Sequence, residues 1–236
     1  MKIILVLLLV SSFNAFAAQQ LIVITTDAWQ STQGQLRTFE KKQHHWQPGP
    51  VQTAVSLGRS GLAWGLGIYP KTAKTPQKVE GDGKTPAGIF QLGTSFGYAK
   101  ALNTALPYLA TTASSYCMDV PQSPYYNQLI NSDKVGEKAV EGSTEPLRLD
   151  LKTAGDMRYQ EAIVVKHNPA NIAKAGSCIF LHIWKAPGVT TAGCSAMPKP
   201  AMDALLAWLT PESEPLLVVM PKAIYEKMAI KWKFPQ

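Results

Sequence analysis

Charge is scarce in this chain of 236 residues: 17% are Asp, Glu, Lys or Arg, against 46% hydrophobic. Disorder needs the opposite balance, so the composition points to a compact globule. The net charge is +7, yet no cationic run is longer than Lys41-Lys42, which argues against a nucleic-acid groove. Internal repeats and low-complexity tracts are missing, so solenoids and arrays fall away. Histidine occurs four times and cysteine three times. On one strand Cys178 and His182 share a face but stand about 13 Å apart, too far to bind one zinc ion. Neither a metal nor any other cofactor is expected.

Long apolar runs are missing too. The stretch Ile3 to Val10 falls well short of the roughly 20 residues that span a bilayer, so no transmembrane anchor is expected. With Lys2 before it and Ala15-Phe16-Ala17 after it, residues 1–17 read as a cleaved secretory signal peptide. The expectation is an exported protein, periplasmic or secreted, with residues 18–236 as a single domain. Three cysteines in such a chain leave one over. If a disulfide exists, Cys117 and Cys178 are its natural partners; the alternative is two buried, inert thiols.

Strand signals dominate the chain. Leu21 to Thr26, Gln35 to Lys41 and Val51 to Leu57 are short β-prone runs, and Gln47-Pro48-Gly49-Pro50 predicts a turn before the third. His44-His45 read as a solvated hairpin end. The Glu80 to Gly88 segment, E-G-D-G-K-T-P-A-G, predicts a tight turn entering a strand near Ile89. It is not a phosphate loop, because proline follows Gly83-Lys84-Thr85 where a helix would have to begin. Residues 99–148 lack periodicity and suggest an excursion with short helices, either a wall over a groove or a structural insertion. Tyr159 to Lys166 and Cys178 to Trp184 read as paired strands. Pro200 opens a helix with Met202, Leu205, Leu206 and Leu209 on one face. Leu216 to Met220 is a last buried strand, and Ile224 to Pro235 a helix or strap. The fold class is mainly β, a sandwich with a few peripheral helices.

Chemistry concentrates in Gly176 to Pro198, G-S-C-I-F-L-H-I-W-K-A-P-G-V-T-T-A-G-C-S-A-M-P. His182 sits mid-strand among apolar neighbours, and Pro187-Gly188 ends that strand. The small-residue turn Thr190-Thr191-Ala192-Gly193 then presents Cys194. A basic ring nitrogen on a rigid strand and a thiol on a tight turn are the parts of a cysteine nucleophile with its base. A buried core histidine and an inert thiol are the alternative. Gly193 removes bulk before the thiol, leaving the Cys194 N–H open to a developing oxyanion. Thr190 or Thr191 is placed to hold the loop or a substrate.

The His…Thr-x-Gly-Cys pattern, with Gly-Asp-Gly-x-Thr-Pro-Ala-Gly-x-Phe upstream, resembles the L,D-transpeptidase catalytic domain (YkuD-like) family. The segment Asp119 to Asn127 and the strand Ala162 to Val165 resemble its exported, shorter-motif branch. The likeness runs from about Gly58 to Leu217. It implies an L,D-transpeptidase-like β-sandwich acting on peptidoglycan stem peptides in cell-wall remodelling. The acyl-enzyme would pass to a neighbouring stem's amine, or to water as in an L,D-carboxypeptidase. It implies Cys194 as nucleophile, His182 as proton acceptor and donor, and Gly193 as part of the nucleophile turn. Ala192 replaces the histidine or arginine of the better-known motif, and Ser195-Ala196 replace its last pair. Two other readings are therefore a wall-binding module without turnover and an amidase releasing wall-linked protein.

Overall fold

The computed structural model describes residues 18–70 and 74–236, so the expected signal peptide lies outside the described residues. The first strand, β1 (Gln20–Thr26), carries the apolar run Leu21 to Ile24 and is buried on both faces, as suits an interior strand. A hairpin follows, β2 (Gln33–Lys42) and β3 (His45–Ser56). Its turn is Gln43-His44, both with positive φ (47° and 66°), the backbone that a two-residue hairpin of this twist demands.

The turn expected at Gln47 to Pro50 is therefore corrected: these residues lie inside β3. Proline has no N–H for the ladder. The sheet absorbs the defect through a register shift opposite, between Arg37 and Phe39. There the Thr38 hydroxyl accepts from the Val51 N–H (2.9 Å) and donates to the Val51 carbonyl (3.1 Å), standing in for ladder bonds.

Next come β4 (Leu62–Trp64), the long β5 (Thr85–Gly97) and β6 (Tyr108–Ala110). The aperiodic excursion at 99–148 contains β6 and also β7 (Ser115–Cys117), β8 (Leu129–Asn131), the short helix α1 (Ser132–Val135) and β9 (Glu145–Pro146), and the short helix α2 (Leu149–Lys152) follows it. The chain closes with β10 (Glu161–Val165), β11 (Phe180–Ile183), β12 (Ser195–Met197), α3 (Lys199–Trp208), β13 (Leu216–Pro221) and α4 (Lys222–Trp232).

The protein is mainly β with few helices, as expected. One 10-stranded sheet runs β10-β11-β12-β3-β2-β1-β13-β5-β4, with β6 beside β5. It closes on itself, because β5 pairs with β13 through Ile89 and Phe90 and with β10 through Ser95 to Gly97. The result is barrel-like and leaves few open edges. In the core packed on its two faces, Leu21, Ile22, Ile24, Leu36, Leu57 and Phe90 are fully buried. On α3 the predicted face, Met202, Leu205 and Leu206, is buried against the sheet, with Leu209 just past the helix end.

Strands β8, β7 and β9 make a separate small sheet. A second core cluster of Phe96, Leu147, Tyr159, Phe180 and Cys194 includes both halves of a Cys117–Cys178 disulfide, which ties the excursion to the start of β11. Cys178 itself precedes β11, with φ of 55°, so the predicted strand from Cys178 begins at Phe180 instead. Its N–H donates to the Asn127 side chain (3.0 Å), a second tie to the excursion.

Candidate active site

The strand β12 returns parallel to β11, with Leu181 opposite Ser195 and His182 opposite Ala196. That register brings Cys194 level with Phe180. The Phe180 N–H donates to the Cys194 sulfur (3.3 Å), and the thiol donates to the Cys178 carbonyl (3.6 Å). Cys194 is buried and is the free cysteine among the described residues.

Thr191 builds the turn before it. Its hydroxyl donates to the Cys194 carbonyl (2.7 Å) and accepts from the Gly193 N–H (3.1 Å). Its own N–H bonds to Leu57, and its carbonyl accepts from Arg59 N–H. Gly193 has φ of 153°, and a Cβ there would meet Ile179 Cδ1 at 2.9 Å and the Lys84 carbonyl at 3.0 Å, so glycine is required. The predicted tight turn at 80–88 supports the same place. Asp82 accepts from the N–H groups of Val79 and Lys84, and Thr85 accepts from Gly58 N–H while donating to the Cys194 carbonyl.

On β11, His182 is buried, with Nδ1 2.7 Å from the Ile183 carbonyl. A carbonyl only accepts, so Nδ1 carries the proton and Nε2 is left as the basic nitrogen. The Tyr159 ring meets the imidazole edge-on, 5.2 Å between centroids, and the Tyr159 hydroxyl donates to Glu145 at 2.5 Å. Among the described residues no hydrogen bond joins His182 to Cys194.

Burial dominates the electrostatics. It lowers the His182 pKa to about 4 and raises the Cys194 thiol to about 12, with the nearby Glu145 charge adding to the latter. Burial also lifts the Glu145 carboxyl to about 7, against the Tyr159 hydrogen bond, which lowers it. The resting pair is thus neutral thiol and neutral imidazole.

His182, Thr191, Gly193 and Cys194 line one cavity of about 440 Å³. Thr190 does not line it and is exposed; of the two threonines it is Thr191 that holds the loop. The excursion supplies a wall through Asp119, Thr144 and Glu145, as one of its two expected roles required. Sequence reading missed Arg59, Glu145, Arg158 and Tyr159, all of which line the cavity. Each is a lone residue in an aperiodic or strand segment, and no spacing marks it out. A larger cavity of about 740 Å³ lies away from these residues, between β2 and α4. No group of His, Cys, Asp and Glu suited to a metal occurs among the described residues. Nor is any helix among them long and apolar enough to cross a membrane.

The YkuD family model, described as the L,D-transpeptidase catalytic domain, matches residues 22–220. Comparison with curated proteins gives no match. Among solved structures, the helical cell shape determining protein Pgp2 from Campylobacter jejuni aligns at 14% identity with a TM-score of 0.37. The alignment covers 86% of this chain and 48% of that one, so the chain spans about half that protein's length.

Proposed function

The chain belongs to the L,D-transpeptidase catalytic domain family, and from that premise we propose that it is a cysteine-dependent acyl-transfer enzyme of peptidoglycan stem peptides, exported to the periplasm or beyond. The observation that carries this reading is the shared cavity of His182 and Cys194, with the sulfur held by the backbone of the strand that bears the histidine.

In the first half-reaction the Cys194 thiol passes its proton to His182 Nε2 as sulfur attacks the carbonyl before a terminal D-amino acid. The Cys194 N–H, which no acceptor takes among the described residues, faces the developing oxyanion, since Gly193 N–H is already bonded to Thr191. The carbon–nitrogen bond then breaks, and the imidazolium protonates the leaving amine. In the second half-reaction an acceptor amine, or water, attacks the thioester and gives its proton to His182. The carbon–sulfur bond breaks and that proton returns to sulfur. With an amine the enzyme is an L,D-transpeptidase, with water an L,D-carboxypeptidase. Neutral resting partners mean that proton transfer accompanies attack, in place of a standing thiolate–imidazolium pair.

The test is mass spectrometry of tetrapeptide muropeptides incubated with purified protein. Turnover products and a covalent adduct on Cys194 support the reading; an intact substrate with no adduct overturns it. The missing His182–Cys194 hydrogen bond favours a second reading, a wall-binding module without turnover. That reading predicts sacculus binding unchanged by Cys194→Ala.

A further inference from the structure

Three cations line the cavity, and two already have acids of their own. Lys78 forms a buried ion pair with Asp82, and Arg158 makes a forked contact with Asp156. Arg59 is the third, and its guanidinium has no hydrogen-bond acceptor and no acid partner among the described residues.

Two separate features hold Arg59 beside the nucleophile. Its backbone N–H donates to the Thr191 carbonyl at 2.9 Å, so the residue is bonded to the turn that ends in Cys194. Its side chain lies across Gly83, where a Cβ would come within 3.0 Å of the Arg59 Cγ, Nε and Cζ. Gly83 has φ of +68°, so the loop keeps glycine on both counts. Glu80, Asp119 and Glu145 also line this cavity, and all three are acidic. A carboxylate entering the cavity is repelled from them and finds its one uncommitted cation at Arg59. The residues after Cys194 offer none, being Ser195 and Ala196, both buried.

We propose that Arg59 is a specificity-determining residue that receives the terminal carboxylate of the amino acid leaving when Cys194 is acylated. This rests on the acyl-transfer reading above. A single-residue leaving group carries its carboxyl carbon two bonds, about 2.5 Å, beyond the scissile nitrogen. Its partner therefore has to belong to the nucleophile's immediate surroundings, and Arg59 is tied to the nucleophile turn itself. The planar guanidinium fork matches a carboxylate with two parallel hydrogen bonds, which a lysine lacks.

The experiment compares a tetrapeptide donor ending in free D-alanine with the same donor ending in D-alaninamide. Wild-type protein is expected to prefer the acid, and Arg59→Ala to lower kcat/KM on the acid about 10- to 100-fold while changing the amide less than about 2-fold. Arg59→Lys should fall between them on the acid. Equal losses on acid and amide, or no loss on the acid, overturn the proposal. A binding arm separates this from the parent reading: calorimetry of both peptides on Cys194→Ala protein, with and without Arg59→Ala. Preference for the acid that disappears with Arg59→Ala supports the anchor even where wild type shows no turnover. No acid preference in Cys194→Ala protein overturns it, and Arg59→Gln repeats each arm should the alanine variant fold poorly.

Discussion

The Phe180 amide points at the Cys194 sulfur from 3.3 Å, so the candidate nucleophile is hydrogen-bonded to the strand that carries its candidate base. The bond makes the thiol's position a property of the sheet and not of the loop. The Phe180 N–H is thus a backbone donor placed to steady any thiolate formed during attack.

Replacement of Cys194 by alanine is expected to abolish turnover and covalent adduct together, a loss of at least about 1,000-fold for a nucleophile acting as a unit with its base. Muropeptide turnover and intact-protein mass check it. Thermal stability should fall modestly, by about 1–3 kcal/mol, because the buried Phe180 N–H and Cys178 carbonyl lose the thiol as a partner.

Gly193→Ala should leave the thiol in place yet cost most of the activity. The added Cβ meets Ile179 and the Lys84 carbonyl at a backbone angle that L residues rarely take, a strain of about 1–3 kcal/mol. Circular dichroism melts and the rate of Cys194 alkylation in the variant measure the two effects separately.

The disulfide closes a loop of separation 61, for which chain entropy predicts about 4 kcal/mol of stabilisation. A Cys117→Ser, Cys178→Ser double variant should show that loss in urea unfolding. It should also lose acyl transfer more steeply than stability alone dictates, since the Cys178 carbonyl is the thiol's acceptor.

Acid should destabilise the protein through its buried histidines. His182 and His167 are both held near pH 4, below their ordinary 6.5, by burial. Between those values the unfolded chain binds more protons, so stability falls as pH drops from about 6.5 to 4, by up to about 3 kcal/mol for each histidine. Glu145, raised from 4.5 to about 7, acts in the opposite sense over nearly the same window and gains stability as pH falls. The net slope is about one proton, or about 1.4 kcal/mol per pH unit. Glu145→Gln should therefore steepen the acid decline, and urea titrations at several pH values decide it.

Much of the fold was legible because its signals are local. The apolar β-branched runs at 21–26 and 216–220 became β1 and β13, and the i, i+3, i+4, i+7 face around Met202 became α3. The error at Gln47 to Pro50 came from reading proline and glycine as a turn where Thr38, on the partner strand, had already supplied the missing bonds. At the candidate site, that Cys194, Gly193 and His182 would come together was legible from one short stretch, and they line one cavity. Arg59, Glu145 and Tyr159 were not, since they reach the cavity from three distant segments, the loop after β3, strand β9 and the turn before β10. Thr190 and Thr191 were indistinguishable in sequence, and only the register of Thr191 with Leu57 and Arg59 separates them.

The first and last strands of the ring, β1 and β13, lie side by side in parallel, Leu21 against Leu216 and Ile24 against Val219. Most of the chain therefore separates two neighbours, and the ring cannot close on a ribosome until residue 221 has emerged. Until then β1 and β5 each present a bare edge, the state in which chains pair wrongly with one another. A ring wired this way gains its last seam only when its final strand arrives, so its closure is a late and long-range event in folding.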